Sequence, residues 1–323
     1  YAGSLVNASN PAPPPGVCGS AGGNPDIWYR FVAPVDGILT ASTCGSNDAS
    51  GIDTVLSLHP TCTSSAVACS DDAVGECGAA DAGTLRDSYI AYSMTAGQSI
   101  LIRVSKFGSS ALGAYTLNIG FAMANDACAA AADVSAGGTF FGNLAYTSND
   151  QTFATACGAS QTNADAWYVF TAPASCPGEL TVSTCGTHDA AGLNTGMDTV
   201  LSLHASCGAE PIACNDDAAG GSCGSLDSST IRDSFLTRKL GPGQTIFIRV
   251  SKFSTVTSGA FRLNVAWTGA ADFNRSGAIS VQDIFDYLSA YFANDPSADI
   301  NGSGVISVQD IFDYLAAYFA GCL

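Results

Sequence analysis

The order of apolar and polar positions changes once along this chain, near residue 268. Before that point, short runs alternate with a period of two. In 100–105, Ile100, Ile102 and Val104 fall on one face, and Leu101, Arg103 and Ser105 on the other. This is the pattern of a strand with one side against a core. Similar runs rich in Val, Ile, Thr, Phe and Tyr are separated by clusters of Gly, Asn, Asp and Ser, with no helical periodicity among them. Such a chain predicts antiparallel β-sandwich or jelly-roll modules. After 268 the period lengthens. Ile284, Leu288, Tyr291 and Phe292 recur at i, i+4, i+7 and i+8, and Ile311, Leu315, Tyr318 and Phe319 repeat them, which predicts two amphipathic helices.

The β region is written twice. DIWYRF (26–31) returns as DAWYVF (165–170), and ILTASTCG (38–45) as LTVSTCG (180–186). DTVLSLHPTC (53–62) returns as DTVLSLHASC (198–207), ACSDDA (68–73) as ACNDDA (213–218), and LRDSY (85–89) as IRDSF (231–235). Finally, GQSILIRVSKF (97–107) returns as GQTIFIRVSKF (243–253). Self-similarity at this level means two copies of one structural unit. The boundaries it sets are module one at 1–121, module two at 122–267 and a third domain at 268–323.

The copies differ at their starts. YAGSLVNAS (1–9) aligns with FFGNLAYTS (140–148), so module one has no counterpart of about fifteen residues that open module two, Cys128 included. A missing first strand leaves a sheet edge open, and open edges invite pairing. The expectation is that residues ahead of Tyr1 were removed, or that a neighbouring subunit fills the gap.

Composition changes the picture in three ways. The 323 residues carry a net charge of -17 with only 12% charged and 47% hydrophobic residues, so the chain has material for cores and no basic cluster for nucleic acid. No apolar run reaches the ~18 residues of a membrane span. Of 28 acidic residues only Glu76, Glu179 and Glu210 are Glu. Asp dominates, and Asp suits turns and oxygen cages for hard cations. Thirteen cysteines against three methionines point to an oxidising, extracellular or cell-surface location with a disulfide framework. The economical pairing is Cys62–Cys69, Cys44–Cys77, Cys207–Cys214, Cys185–Cys223 and Cys128–Cys157. Cys18, Cys176 and Cys322 are left over, although spacing alone does not fix connectivity.

The most specific motif lies in the last 55 residues. DFNRSGAISVQD (272–283) and DINGSGVISVQD (299–310) each precede a helix. Against a twelve-residue calcium loop they place oxygen donors at positions 1, 3, 5 and 12, with Gly at 6. The ligand set is Asp272, Asn274, Ser276 and Asp283, and then Asp299, Asn301, Ser303 and Asp310. Position 7 adds the carbonyl of Ala278 or Val305, and position 9 is Ser280 or Ser307. The cofactor implied is Ca²⁺, two ions, held weakly at ~10⁻⁵–10⁻³ M because each loop has only two carboxylates. Asp53 with Asp71 and Asp72, and Asp198 with Asp216 and Asp217, are secondary calcium candidates, with plain Asx turns as the alternative. Trp28/Tyr29 and Trp167/Tyr168 read as core aromatics, with sugar-stacking platforms as the alternative.

An enzyme is not expected. The chain has three histidines: His59 and His204 sit at equivalent strand ends, and His188 has no counterpart. No nucleophile elbow, zinc motif or phosphate loop occurs.

The WY-F, STCG, DTVLSLH, AC-(S/N)-DD and IRVSKF segments resemble repeats of secreted planctomycete-type bacterial proteins related to the bacterial pre-peptidase C-terminal domain. The resemblance implies a non-catalytic β-sandwich, in some members calcium-binding, adhesive or carbohydrate-contacting. The tandem loop–helix pair resembles a type I dockerin. That implies a cohesin-like partner, contacted near Val281/Gln282 and Val308/Gln309, with Tyr287 and Tyr314 as candidate exposed anchors and an internal core between the two helices as the alternative role of these aromatics. Together these imply a non-enzymatic, calcium-stabilised extracellular structural or adhesive protein whose tail makes a subunit contact or self-associates. The second candidate is a carbohydrate-binding accessory attached through its tail.

Overall fold

A computed structural model describes residues 1–10, 14–46, 52–77, 86–188, 197–224, 232–254 and 258–323. Leu85 and Ile231, in the repeated L/I-R-D-S segment, lie outside these. The fold is mainly β, and the chain divides into two compact units, Tyr1–Ala124 and Asn125–Leu323. The loop–helix tail belongs to the second unit rather than standing as a third.

In the first unit the strands are β1 (Ala2–Ser4), β2 (Ile27–Val32), β3 (Gly37–Ser42), β4 (Thr54–His59), β5 (Ala68–Ser70), β6 (Tyr89–Met94), β7 (Ser99–Lys106), β8 (Ala114–Thr116) and β9 (Asn118–Met123). One sheet has the order β2-β7-β4-β5 and another β6-β3-β9, while β1 pairs with β8. All of these pairs are antiparallel. A single core holds both sheets together: Leu56 and Leu58 of β4 and Ile100, Ile102 and Val104 of β7 pack with Leu39 and Ala41 of β3 and Ile90 of β6. The alternation read in 100–105 therefore faces this core, but Arg103 on the other face is also buried.

In the second unit the strands are β10 (Ala132–Asp133), β11 (Gly138–Asn143), β12 (Asp165–Thr171), β13 (Gly178–Ser183), β14 (Thr199–His204), β15 (Pro211–Asn215), β16 (Phe235–Leu240), β17 (Thr245–Lys252) and β18 (Ala260–Gly269). The sheets run β10-β12-β17-β14-β15 and β11-β18-β13-β16. Tyr168 of β12 meets Phe261 of β18 edge-on, and Phe170 meets Trp267, so aromatic rings bridge the two layers. The topology repeats that of the first unit with one addition. β10 runs parallel to β12, Ala132 opposite Tyr168 and Asp133 opposite Val169. Among the described residues β2 has no such neighbour and forms the edge of its sheet. The fifteen residues without a counterpart thus correspond to an edge strand.

Each unit buries one ion pair. Arg103 Nε donates to Asp26 and Arg249 Nε to Asp165, both at 2.6 Å. Each guanidinium also donates to turn carbonyls, of Ala21 in one unit and of Ser160 and Asn163 in the other. An arginine on the face of a central strand turned away from the apolar core is buried because the incoming 18–25 and 157–164 turns wrap it. His59 and His204 end their strands and are buried. His204 Nδ1 donates to the Ala209 carbonyl, and its Nε2 accepts from Ser202.

Two disulfides agree with the expected pairing, Cys44–Cys77 and Cys185–Cys223. The other expected pairs are replaced. Cys69 and Cys214 bond to Cys18 and Cys157, Cys207 bonds to Cys128, and Cys176 bonds to Cys322. Sequence nearness favoured Cys62–Cys69, but the turn at 18–20 folds back beside β5 and brings Cys18 there, its N–H donating to Cys69 Sγ. Cys62 is free and exposed.

Candidate metal centres

The tail has helices α1 (Val281–Phe292) and α2 (Val308–Ala320), each preceded by one of the twelve-residue loops. The two loops have the same backbone. Position 4 is left-handed in both (Arg275 φ 58, Gly302 φ 68), and so is position 6 (Gly277 and Gly304, both φ 85). Only glycine takes that second turn without strain. In the first loop Asp272 accepts the amides of Ser276 and Gly277, and Asn274 Oδ1 also accepts from Ser276. The second loop repeats this with Asp299, Asn301, Ser303 and Gly304. Ser276 Oγ lies 3.4 Å from Asp272 Oδ1 and 3.1 Å from the Ala278 carbonyl oxygen. Ser303 has the same distances to Asp299 and Val305. Oxygens of positions 1, 3, 5 and 7 therefore converge in each loop, the donor set of a hard cation.

Asp283 and Asp310, at position 12, are fully buried. Asp283 accepts the amides of Asn274 and Ser280; Asp310 accepts those of Ile300 and Ser307. Burial pushes Asp283 up, but the amides outweigh it and hold the carboxyl below its ordinary range. Ser280 and Ser307 turn their hydroxyls onto these carboxylates as helix caps rather than into the loop as position-9 donors. Asp286 and Asp313, which the motif did not single out, accept from the amide nitrogens of Asn274 and Asn301 and so aim the amide oxygens inward.

Tyr287 and Tyr314 are not exposed anchors. Both are fully buried, stacked with centroids 4.1 Å apart and planes 10° apart. The i, i+4, i+7 stripe packs around them. The exposed residues are Val281, Phe285 and Phe292 on α1 and Val308, Phe312 and Phe319 on α2, with Phe292 and Phe319 about 80% accessible. These recur at i, i+4 and i+11, one helical face. A second apolar stripe beside the core stripe was the signal in the sequence, and Phe292 and Phe319, which periodicity put in the core stripe, belong to it instead. Lys239 of β16 fixes the tail: its ammonium donates to the carbonyls of Pro296, Ser297 and Asp299. Arg275 pairs with Glu179, and Cys176–Cys322 closes the attachment.

The secondary candidates are also brought together. Carboxylate oxygens of Asp53, Asp71 and Asp72 lie within 4.8 Å of one another, and those of Asp198, Asp216 and Asp217 do the same. Oδ1 of Asp53, Asp71, Asp198 and Asp216 is buried with no hydrogen-bond partner. Burial, then the neighbouring aspartates, push Asp71 and Asp216 up to about 6. Gly19 and Gly158 are left-handed, and an added Cβ would meet the Asp71 or Asp216 carboxylate at 2.5 or 2.8 Å. Asx turns would satisfy these oxygens with amides; here they are left bare and crowded, which fits a divalent cation.

Of the tryptophans, Trp167 is fully buried with its indole N–H on Asp150 and Asp165, while Trp28 is partly covered and lies 5.1 Å from the His59 ring.

The paired sandwiches place the chain in a class of non-identical tandem β-modules with carboxylate-lined turns. The particular family follows: residues 15–119 and 124–262 match the T9SS-associated family described as galactose binding domain-like. The chain belongs to that family, in two repeats, which replaces the pre-peptidase C-terminal resemblance; nothing among the family matches supports the dockerin resemblance for the tail. No curated protein matches. Among solved structures, one match is the M60 catalytic domain with the CBM51-1 and CBM51-2 domains from Clostridium perfringens ZmpB, at 8% identity, 76% of this chain, 34% of that chain and TM-score 0.19. Another is the plant receptor-like kinase ANX2, at 8% identity, 75% and 80% coverage and TM-score 0.20. The chain thus spans about a third of the first structure, and neither likeness carries an argument. Six disulfides, together with this family, are consistent with an extracellular or surface protein. Among the described residues no helix is long and apolar enough to cross a membrane.

Proposed function

We propose that this is a non-enzymatic, calcium-stabilised extracellular structural or adhesive protein, a subunit of a surface assembly whose dockerin-like tail is the subunit contact. The observation that carries this reading is the repeated exposed face, Val281, Phe285 and Phe292 on α1 and Val308, Phe312 and Phe319 on α2. Each face follows a loop whose oxygens converge. Apolar side chains exposed in a cluster mark interaction surfaces, and aromatic residues dominate interface energetics. The residues present fit Ca²⁺: Asp272, Asn274, Ser276, the Ala278 carbonyl and Asp283 would hold one ion. Asp299, Asn301, Ser303, the Val305 carbonyl and Asp310 would hold the other, and the β-module triads would hold one each. When bound, the ions supply positive charge that offsets the net -17 and lessens repulsion between subunits. The partner of the face is a second copy or a cohesin-like protein.

Sedimentation of the full chain in millimolar calcium and in chelator tests this. Association in calcium, abolished by chelator and by Phe285→Ala with Phe312→Ala, supports it. A monomer in both conditions contradicts the self-assembly reading.

A second reading is favoured by the family: carbohydrate binding by the two modules, in the sense of the galactose-binding name. Burial of Trp167 removes one stacking platform, and Trp28 retains part of its face. Binding of the full chain to a glycan array, with loss on Trp28→Ala, would favour it.

A further inference from the structure

The two tail loops share a feature that lies outside the twelve-residue motif. Past position 12, in the second turn of each helix, stands a third aspartate, Asp286 on α1 and Asp313 on α2. Asp286 Oδ2 accepts from Asn274 Nδ2 at 2.9 Å, across 12 residues of chain, and Asp313 Oδ2 accepts from Asn301 Nδ2 at 2.7 Å. The other oxygen of each carboxylate accepts from the side chain of Gln282 or Gln309, at 2.8 Å in both. Those glutamines stand one turn earlier on the same helical face. Each carboxylate is thus held from one side while it holds the asparagine on the other.

This arrangement fixes which way the asparagine amide points. Asn274 Oδ1 accepts the Ser276 amide at 3.0 Å while its Nδ2 faces Asp286. Asn301 is placed in the same way by Ser303 and Asp313. Turning either amide over would set oxygen against carboxylate and nitrogen against an N–H, so its two ends are not interchangeable. The asparagine oxygen is thereby committed to the loop, where Asp272 and Ser276 also meet. Asp286 and Asp313 are half-buried and form no ion pair with Lys or Arg among the described residues. Their partners are neutral amides, which leave the carboxylate charge to be offset by a cation in the loop.

We propose that Asp286 and Asp313 are positioning residues of the two calcium sites: each carboxylate aims the position-3 asparagine oxygen at the ion and supplies, from behind it, the negative charge that asparagine lacks. This rests on the calcium reading of the loops and adds to it a reason for asparagine at position 3. Affinity of such loops is tuned by the number of charged ligands, so aspartate at that position would tighten binding by charge alone. At 274 it would instead set a second carboxylate directly against Asp286, and like charges so placed oppose each other. The third carboxylate of each site belongs either at position 3 or behind it, not at both.

The test uses the full chain carrying Asp299→Ala, which leaves 272–283 as the intact tail loop, with calcium binding followed by isothermal titration calorimetry. The binding lost on further Asp272→Ala identifies the loop's share. Asp286→Asn, which keeps the shape and one acceptor oxygen, should weaken this site ~10-fold, and Asp286→Ala, which removes the acceptor as well, by up to ~100-fold, the range for residues that orient metal ligands. Asn274→Asp should change affinity less than ~2-fold while Asp286 is present, yet recover ~10-fold in the Asp286→Asn background, a coupling between neighbouring groups. A role confined to the helix would lower Tm in chelator and leave calcium affinity unchanged, and that result would overturn the proposal. So would an Asn274→Asp effect of the same size in both backgrounds. If Asp272→Ala removes no binding at all, the calcium reading of the loop itself fails, a result distinct from both of these.

Discussion

At the residue scale the most informative side chains are the crowded aspartates. Asp71 and Asp216 keep their protons to about pH 6, because burial and then neighbouring aspartates oppose ionisation, whereas unfolded chains release them near 3.8. In chelator the folded state therefore gains stability as pH falls through 6. A cation held by the triads would supply the same relief above pH 6, where the carboxylates are ionised. The calcium-induced rise in Tm, read by scanning calorimetry, should be largest above pH 7 and shrink as pH falls through about 6. Asp71→Asn together with Asp216→Asn should remove most of it at pH 7.5. An unchanged calcium effect in that double variant would exclude the β-module triads as binding sites. These residues were visible in the sequence as repeated Asp pairs; their bare oxygens were not, because an Asx turn and a cation site share the same letters.

At the element scale, legibility varied with how local each interaction is. The strands of 97–107 and 243–253 and both helices follow from periodicity. The equivalence of the modules follows from their repeats. The disulfides did not follow, since Cys18 and Cys157 reach Cys69 and Cys214 across more than fifty residues. Which role Tyr287 and Tyr314 take, anchor or core, was open for a related reason, and the structure buries both. Both apolar stripes of each helix carry aromatics, and only the packing of one helix on the other decides which stripe is inside. Attachment of the tail is likewise non-local, resting on Lys239 and on Cys176–Cys322, 146 residues apart. Replacing Cys176 and Cys322 with Ser should lower the unfolding free energy of the second unit by ~2–4 kcal/mol in urea titrations, because a long closure is lost from the unfolded chain. A change within error would mean that Lys239 and the helix packing hold the tail unaided.

At the scale of the whole molecule, two galactose-binding-like sandwiches carry an acidic surface and a tail whose loops gather oxygens. Among the described residues β2 pairs with β7 alone and Cys62 is free, whereas β12 is paired on both sides. The acidic balance, the β-modules and the two matching twelve-residue loops were all legible from composition and spacing. The exposed phenylalanine faces were legible only as a second apolar stripe, since which stripe is buried is a property of the assembled helices.

The central claim is that converging oxygens in this chain hold calcium. Metal content of the full chain after equilibrium dialysis against millimolar calcium measures it most directly. Four ions per chain are predicted, falling to two when Asp272→Ala and Asp299→Ala are combined. A protein that retains none, or that retains the same number in that double variant, would contradict the account.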